Sequence, residues 1–394
     1  MNADQESEGS PRAVDYETLM RQAADANPAD LTTHTMDRLG LDADSVESVE
    51  ILDVRREADF KVCTFSGFKR TEVKNEFLKS LLLAKVEPAC HWCAELVCSG
   101  HFADVWEVII LFFSRYVHLS NAIVAPYLHM RLRDFLEIVQ NGYSSQLLYL
   151  RNNAKIRRLF AEIACILCEV KQRHRFDNVK INNDDLNIIT IKDRFLAPSA
   201  EYAEVFFLDE DPKELFPFMN ELAYSVSEDG CDIITACYWI EWIFEFESRC
   251  KSHKDKLTCE RRMYNYARVD SKCQKDIVWM IWDCFLAEAE LRENAEILLK
   301  FIRGIMGLFA FKYAAGCHKR RKFSLYFAAY LLCEPCTFER EILPRSKRPI
   351  IGAIVDNIHK IYEPMKQNEV YGNMEYLIGN SMSVSTISSV PAAM

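Results

Sequence analysis

The chain has 394 residues, of which 49% are apolar, enough for one large core or for two to three domains. Glycine and proline number 12 each, roughly 3% apiece against typical values of about 7% and about 5%. Because β-sandwiches and barrels need many turns, this scarcity favours helices. The net charge of −10 disfavours broad, non-specific nucleic-acid binding, which needs a basic surface.

Charge is distributed unevenly along the chain. Residues 1–60 contain 15 acidic and 5 basic side chains, whereas residues 301–360 contain 4 acidic and 11 basic ones. Such asymmetry is compatible with two interpretations. Either the acidic N-terminal segment contacts a basic surface of this chain or of a neighbour, or it is a solvated acidic tail.

The N-terminal segment, residues 1–64, is sparsely apolar, so we expect an irregular acidic arm with one short helix near 16–24. Its first residues are acidic and lack an apolar stretch, so no signal peptide is expected. The 15 cysteines are therefore interpreted as reduced thiols in a reducing compartment, and most of them as small buried side chains.

Apolar residues recur at helical spacing from about residue 65 onwards, which predicts an N-terminal helical unit over 65–177. A first helix is predicted at 71–85. Pro88 is suited to the first turn of a second helix, Ser99–Gly100 to its end, and 102–117 to a third helix. Further helices are predicted at 127–140, 144–172, 212–227, 232–252, 272–299, 300–315, 323–333 and 350–362.

Residues 178–193 differ from the rest because they combine β-branched residues with Asn and Asp, which predicts a small β-hairpin. We place a linker at 178–200, a C-terminal helical unit at 201–370 and an extended tail at 371–394, which has no charged side chain after Glu375. The predicted fold class is therefore mainly α: an irregular multi-helix bundle with one hairpin and extended terminal arms.

No apolar run reaches the ~18–20 residues that a transmembrane helix requires. The longest candidate, residues 301–316, contains Arg303 and Lys312 near its ends. We interpret it as a buried helix and expect no transmembrane segment.

A C-x2-C-x4-C-x2-H array, formed by Cys90, Cys93, Cys98 and His101, has ligand types that suit zinc. Along a continuous helix, however, its ends would lie about 16 Å apart at ~1.5 Å rise per residue. Tetrahedral zinc requires its ligands to lie within roughly 4 Å of one another. The turn at Ser99–Gly100 comes too late to bring them together. Buried thiols are the favoured interpretation, and a zinc site is the alternative.

Motifs for catalysis and nucleotide binding are missing from the sequence. It contains no G-x-x-x-x-G-K-[ST], G-x-G-x-x-G, G-x-S-x-G or H-E-x-x-H. Two further C-x-x-C pairs, at 165–168 and 333–336, lack the βαβ setting of a thioredoxin-like site. We therefore predict no catalytic residue, no metal and no cofactor, and a protein that is not an enzyme.

Clustered basic residues at 318–323 and 344–350 form the strongest electrostatic feature of the sequence. They are candidates to bind an acidic protein surface or nucleic acid, and the alternative is an ordinary solvated surface. The candidate partner-binding residues are Lys319, Arg320, Arg321, Lys322, Arg345, Lys347 and Arg348.

Residues 66–135 resemble a family of helical proteins of nucleocytoplasmic large DNA viruses, of the chlorella-virus type. The elements that carry the resemblance are EPAC-x-W-x-AEL-x-C-x-GHF-x-D-x-W and R-x-V-H-L-x-N. A weaker resemblance continues through 151–163 and 211–216. Within the first element, the pattern that suggests the family is formed by Pro88, Trp92, Glu95, Gly100, His101 and Trp106.

This resemblance implies a structural protein of the virion capsid, made in the host cytoplasm. It implies a minor capsid protein that bridges or cements major capsid capsomers on the inner side of the shell. Its partners would be the major capsid protein and other minor capsid proteins. The alternative is an adaptor that associates with nucleic acid in viral replication or genome packaging. The resemblance supplies no catalytic residue.

Overall fold

The fold is built from α-helices, as the low glycine and proline content predicts. The computed structural model describes residues 49–371, except 171, 173–175, 263–268, 337 and 339–340. In these residues there is no β-strand, and the predicted irregular multi-helix bundle is confirmed. Twelve helices of eight or more residues occur in them: α1 (Arg70–Leu82), α2 (Val86–Cys98), α3 (Phe102–Tyr116), α4 (Val124–Ile138), α5 (Ala154–Glu169), α6 (Phe216–Val226), α7 (Ile233–Ser252), α8 (Val278–Glu290), α9 (Ala295–Ala310), α10 (Cys317–Cys333), α11 (Arg348–Asp356) and α12 (His359–Lys366).

Several predicted helices begin or end at residues that the periodicity alone does not show. The predicted helix at 144–172 is interrupted at Asn153, whose side chain instead accepts a hydrogen bond from the Ile156 N–H at 3.2 Å and caps α5. The predicted helix at 272–299 is divided into α8 and α9. Helix α10 begins at Cys317, six residues before the predicted start, directly after Gly316 with φ +80°.

The predicted β-hairpin at 178–193 is wrong. This stretch contains a 3-10 turn, Asn183–Leu186, followed by one α-helical turn, Ile188–Ile191. The backbone N–H of Asn182 donates to Asp185 Oδ2 at 3.0 Å, which closes the cap of the 3-10 turn. The Trp242 indole N–H donates to the Asp185 carbonyl at 2.7 Å. Capping and contacts with α7 therefore outweigh the local preference for a strand.

One hydrophobic core extends across the linker predicted at 178–200. Trp106 of α3 lies 5.8 Å from Phe160 and 6.1 Å from Phe311, measured between ring centroids. Phe113 of α3 lies 4.7 Å from Phe327 of α10. Helix α4 likewise packs on α9. Helices from before and after the linker thus share one core, and the described residues belong to one compact unit.

Part of the predicted N-terminal arm is attached to this core. Ile51 is buried, and its N–H and C=O form hydrogen bonds of 2.9 Å with the side-chain amide of Asn152. Arg157 donates to the Val49 carbonyl at 2.8 Å. Residues 1–48, with the short helix expected near 16–24, and residues 372–394 lie outside the described residues.

None of the helices in the described part of the chain is long and apolar enough to cross a membrane. Helix α9, which contains most of the apolar run noted at 301–316, packs instead on α4, α8 and α10.

We predict that Phe113→Ala lowers the free energy of unfolding by about 3–5 kcal/mol, because it removes a buried ring that joins α3 to α10. Urea denaturation followed by tryptophan fluorescence and by circular dichroism measures the loss. Phe68→Ala is the control, since Phe68 is 44% exposed, and its cost should be clearly smaller. Two separate unfolding transitions in the wild-type protein would contradict the shared core.

Candidate functional site

The basic residues at 318–322 lie in the first two turns of α10. This helix packs against α3, α7, α8 and α9, and all but a few of its residues are buried. In its first two turns Arg321 is buried and Lys322 half-buried against neighbouring helices, whereas Lys319 and Arg320 are exposed. The charges of Arg321 and Lys322 need partners there, because an ion removed from water is costly unless it is paired.

Arg321 and Lys322 are structural charges. The Arg321 side chain is 5% exposed, and its Nη1 donates to the carbonyls of Phe309 and Phe311, both at 2.6 Å. These carbonyls lie at the C-terminal end of α9, where a cation is favourable. Lys322 Nζ lies 2.8 Å from Glu241 Oε1, and both side chains are about 15% exposed. The two basic residues thus hold α10 against α9 and α7.

Lys319 and Arg320 are closer to solvent but also have partners in the chain. Lys319 Nζ donates to Ser248 Oγ. Arg320 Nε lies 3.4 Å from Glu107 Oε1, and its side chain is 62% exposed. An exposed ion pair of this kind contributes only about 0–1 kcal/mol, so Arg320 is the residue of this run that is most available to a partner.

The second basic cluster lies at the start of α11 and in the turn before it. Arg345 and Arg348 lie 3.4 Å and 3.6 Å from the carboxylate of Glu341, and Lys347 lies 3.3 Å from Glu169. All three basic side chains are at least 44% exposed. The cluster is open to solvent, and the two carboxylates partly neutralise it.

Each of the seven candidate residues therefore has an acidic or polar partner within the chain. The structure divides them into a largely internal group on α10 and an exposed group near α11. A nucleic-acid footprint requires cations that are free to contact phosphates. Of these seven cations, Arg321 and Lys322 are therefore the least available to an external partner.

We predict that Arg321→Met lowers the free energy of unfolding by about 2–4 kcal/mol, since it removes a buried donor and leaves two carbonyls without their partner. The adjacent substitution Arg320→Met is the matched control and should cost less than about 1 kcal/mol. Urea denaturation of both variants measures the difference. Equal losses would show that Arg321 is not a structural charge.

The cysteine array lies in α2, which continues without a break from Cys90 through Cys98. All three of its thiols are 2% exposed or less. Cys90 Sγ lies 3.9 Å from Cys165 Sγ of α5, and this contact together with burial raises the pKa of Cys90. Burial also raises the pKa of Cys93 and Cys98. Neutral thiols in this setting act as packing groups.

No set of three or more His, Cys, Asp or Glu side chains is arranged to hold a metal ion in the described part of the chain. His101 follows the turn at Ser99–Gly100 and directly precedes α3, so the unbroken helix separates it from Cys90. The second C-x-x-C pair, Cys165 and Cys168, is buried in α5, as its amphipathic pattern predicts.

We predict that the thiols of α2 react with iodoacetamide at least about tenfold more slowly in the folded protein than in urea, because burial disfavours the thiolate. Cys231 is exposed and serves as the internal control, since it should react in both states. Peptide mass spectrometry of alkylated samples measures each site. One equivalent of zinc in the purified protein, found by elemental analysis, would overturn this account of the array.

The residues that carry the family resemblance form a joint between α2, α3 and the segment before α1. Glu95 is fully buried and accepts hydrogen bonds from the Ser66 N–H at 2.7 Å and from Ser66 Oγ at 2.8 Å. Gly100 has φ +74°, and a Cβ there would lie 3.1 Å from Leu148 Cδ1. Trp106 lies in the aromatic core. These residues therefore determine how helices meet.

A second feature, not predicted from the sequence, holds together the two ends of the described chain. The Val54 N–H donates to the Val370 carbonyl at 3.1 Å, and the Val370 N–H donates to Asp53 Oδ2 at 2.8 Å. Arg55 Nη2 lies 2.6 Å from the same Asp53 oxygen. Burial raises the pKa of Asp53, but the hydrogen bonds from Arg55 and Val370 outweigh it and hold this pKa below its usual value.

This arrangement, which we call the terminal junction (residues 51–55 and 368–371), carries exposed apolar side chains. The exposed fractions are 57% for Leu52, 54% for Val54, 45% for Val370 and 63% for Tyr371. The sequence contains no signal for the junction, because its two segments are more than 300 residues apart.

Comparisons with protein-family models, with curated proteins and with solved structures found no match for this chain.

Proposed function

We propose that this chain is a non-enzymatic structural protein of a large DNA virus. It would act as a minor capsid protein that bridges or cements major capsid capsomers on the inner side of the shell. The observation that carries the proposal is the placement of the residues on which the resemblance to the viral family rests. Glu95, Gly100 and Trp106 lie in helix joints and in the core, as expected for a scaffold.

The terminal junction supports a bridging role. It joins residues 52–54, near the first described residue, to residues 369–370, near the last one. The two segments outside the described residues differ chemically: residues 1–48 contain 11 acidic and 3 basic side chains, and residues 372–394 have no charge after Glu375. We propose that a partner docks on the exposed apolar surface of the junction and orders these two segments on contact.

The nucleic-acid adaptor is the weaker proposal, because the basic residues on which it depends are paired within the chain. Arg321 and Lys322 stabilise the bundle, and the exposed residues near α11 share their surface with Glu341 and Glu169. No described feature favours this adaptor over the capsid role.

We predict that the protein remains with the capsid shell when purified virions are disrupted and the genome is removed by nuclease. Quantitative mass spectrometry of intact, disrupted and nuclease-treated particles measures its distribution. Deletion of 1–48 together with 372–394 should reduce incorporation at least about tenfold, since both segments would lose their contacts. The double substitution Lys69→Gln and Lys79→Gln, at exposed residues outside the basic clusters and the terminal junction, is the control and should leave incorporation unchanged.

Absence of the protein from intact particles would overturn the capsid role. Tight binding to duplex DNA whose affinity falls steeply between about 50 and 200 mM salt would favour the adaptor instead. Circular dichroism of the deletion variant, with a wild-type helical signal from residues 49–371, shows that lost incorporation is not caused by unfolding.

A further inference from the structure

A cleft of about 390 Å³ lies between the chain around 199–205, the turn at 227–229 and the C-terminal end of α8. Most of the charged side chains that line it are acidic. The ionisable and phenolic side chains that line it are Glu201, Tyr202, Glu228, Asp229, Glu288 and Arg292.

Glu288 is the unusual member of this set. The residue is 6% exposed and lines the cleft from the last turn of α8. Its carboxylate has no hydrogen bond or ion pair with any other described residue. Buried carboxylates in proteins are normally paired, because an unpaired one loses its solvation without compensation. Glu288 is thus an acceptor without a partner at the wall of an open cleft.

Two charged neighbours of Glu288, Arg292 and Asp229, already have other partners. Arg292 Nη1 lies 3.0 Å from Glu228 Oε1, and Arg292 Nη2 donates to the Val226 carbonyl at 2.6 Å. Asp229 accepts a hydrogen bond from the Tyr202 hydroxyl at 2.9 Å. Four carboxyl groups therefore line the cleft with one guanidinium, and Glu288 is the buried one among them that this arrangement leaves without a hydrogen bond or ion pair.

We propose that this cleft binds a cationic amine or guanidine group, with Glu288 as its main acceptor. Val205 and Leu291, both 70% exposed, also line the cleft and provide apolar surface for the aliphatic stem of such a ligand. The excess of carboxylates disfavours an anion. A metal ion is disfavoured because, in the described part of the chain, no three His, Cys, Asp or Glu side chains are arranged to hold one.

The same chemistry is available from two sources, a free polyamine or a lysine or arginine side chain of a protein partner. Both offer a nitrogen cation on a chain of methylene groups. The site is independent of the proposed capsid role. It is lined by residues of 199–205, 227–229 and 287–292 and uses none of the residues of the terminal junction.

The affinity of the cleft for a cation should increase with pH, because Glu288 must be ionised to bind it. The pKa of Glu288 is raised to about 7, mainly by burial; Arg292 opposes the rise, and Asp229 and Glu228 add to it. Glu201 and Tyr202 face the same cleft. A cation prefers the ionised carboxylate, so its affinity should increase by about tenfold from pH 6 to pH 8 and the ligand should lower the pKa of Glu288.

The test is isothermal titration calorimetry of the full chain with two probes in separate experiments. One probe is spermidine, and the other is a peptide that contains one lysine and has blocked, uncharged termini. We expect Glu288→Gln to weaken binding of the preferred probe at least about tenfold. Glu290→Gln is the matched control: it lies on the same helix, is exposed and does not line the cleft. It should leave binding unchanged.

Stronger binding of spermidine than of the peptide identifies a free polyamine as the ligand, and the reverse identifies a protein side chain. Absence of binding of both probes up to about 1 mM would overturn the proposal, as would equal losses in the two variants. Because Glu288→Gln can also alter the fold, carboxyl ¹³C NMR of the wild-type protein provides a second readout. An unchanged Glu288 titration curve in the presence of a bound probe would likewise overturn it.

Discussion

The position of α10 at the centre of the bundle is the constraint on which the rest of the structure depends. This helix brings basic side chains into contact with α3, α7 and α9, where water cannot solvate them fully. The cost of removing these charges from water has to be offset by specific partners. Arg321 uses carbonyls at the end of α9, and Lys322 uses Glu241 of α7. The relative placement of four helices is thus linked to these contacts.

The same physical rule applies elsewhere in the molecule. Arg262 is 3% exposed and forms an ion pair with the fully buried carboxylate of Asp211 at 2.7 Å, and its Nε contacts Asp283. Burial raises the pKa of Asp283 to about 6, although Arg262 opposes the rise. Against this background of paired charges, an unpaired Glu288 at the wall of a cleft is an exception, and exceptions of this kind are typical of binding sites.

The terminal junction and the helix joint around Glu95 are related in how they are formed. The joint links the segment before α1 to α2 and to Ser99 through buried and half-buried polar contacts. The junction gathers both ends of the described chain at one exposed apolar surface. Both features are thus contacts between segments far apart in the sequence, made by buried polar groups in one case and beside an exposed apolar surface in the other.

The sequence by itself determined the helical class and most of the helices, because apolar spacing and signals such as Pro88 and Ser99–Gly100 act locally. It also indicated correctly that the thiols of α2 and α5 are buried, since they lie on apolar helix faces. The stretch at 178–193 was misread because its β-branched residues favour a strand only when no tertiary contact competes.

Only the tertiary structure decided which charged side chains are buried and which remain exposed to solvent. In the sequence, the run at 318–323 indicates a basic surface. Only the packing of α10 shows which of its side chains are removed from solvent. The terminal junction and the cleft at Glu288 likewise depend on segments distant in sequence: Asp53 and Val370 meet across a separation of 317 residues. Local patterns report the conformation of a segment, whereas burial and pairing depend on which segments the fold brings together.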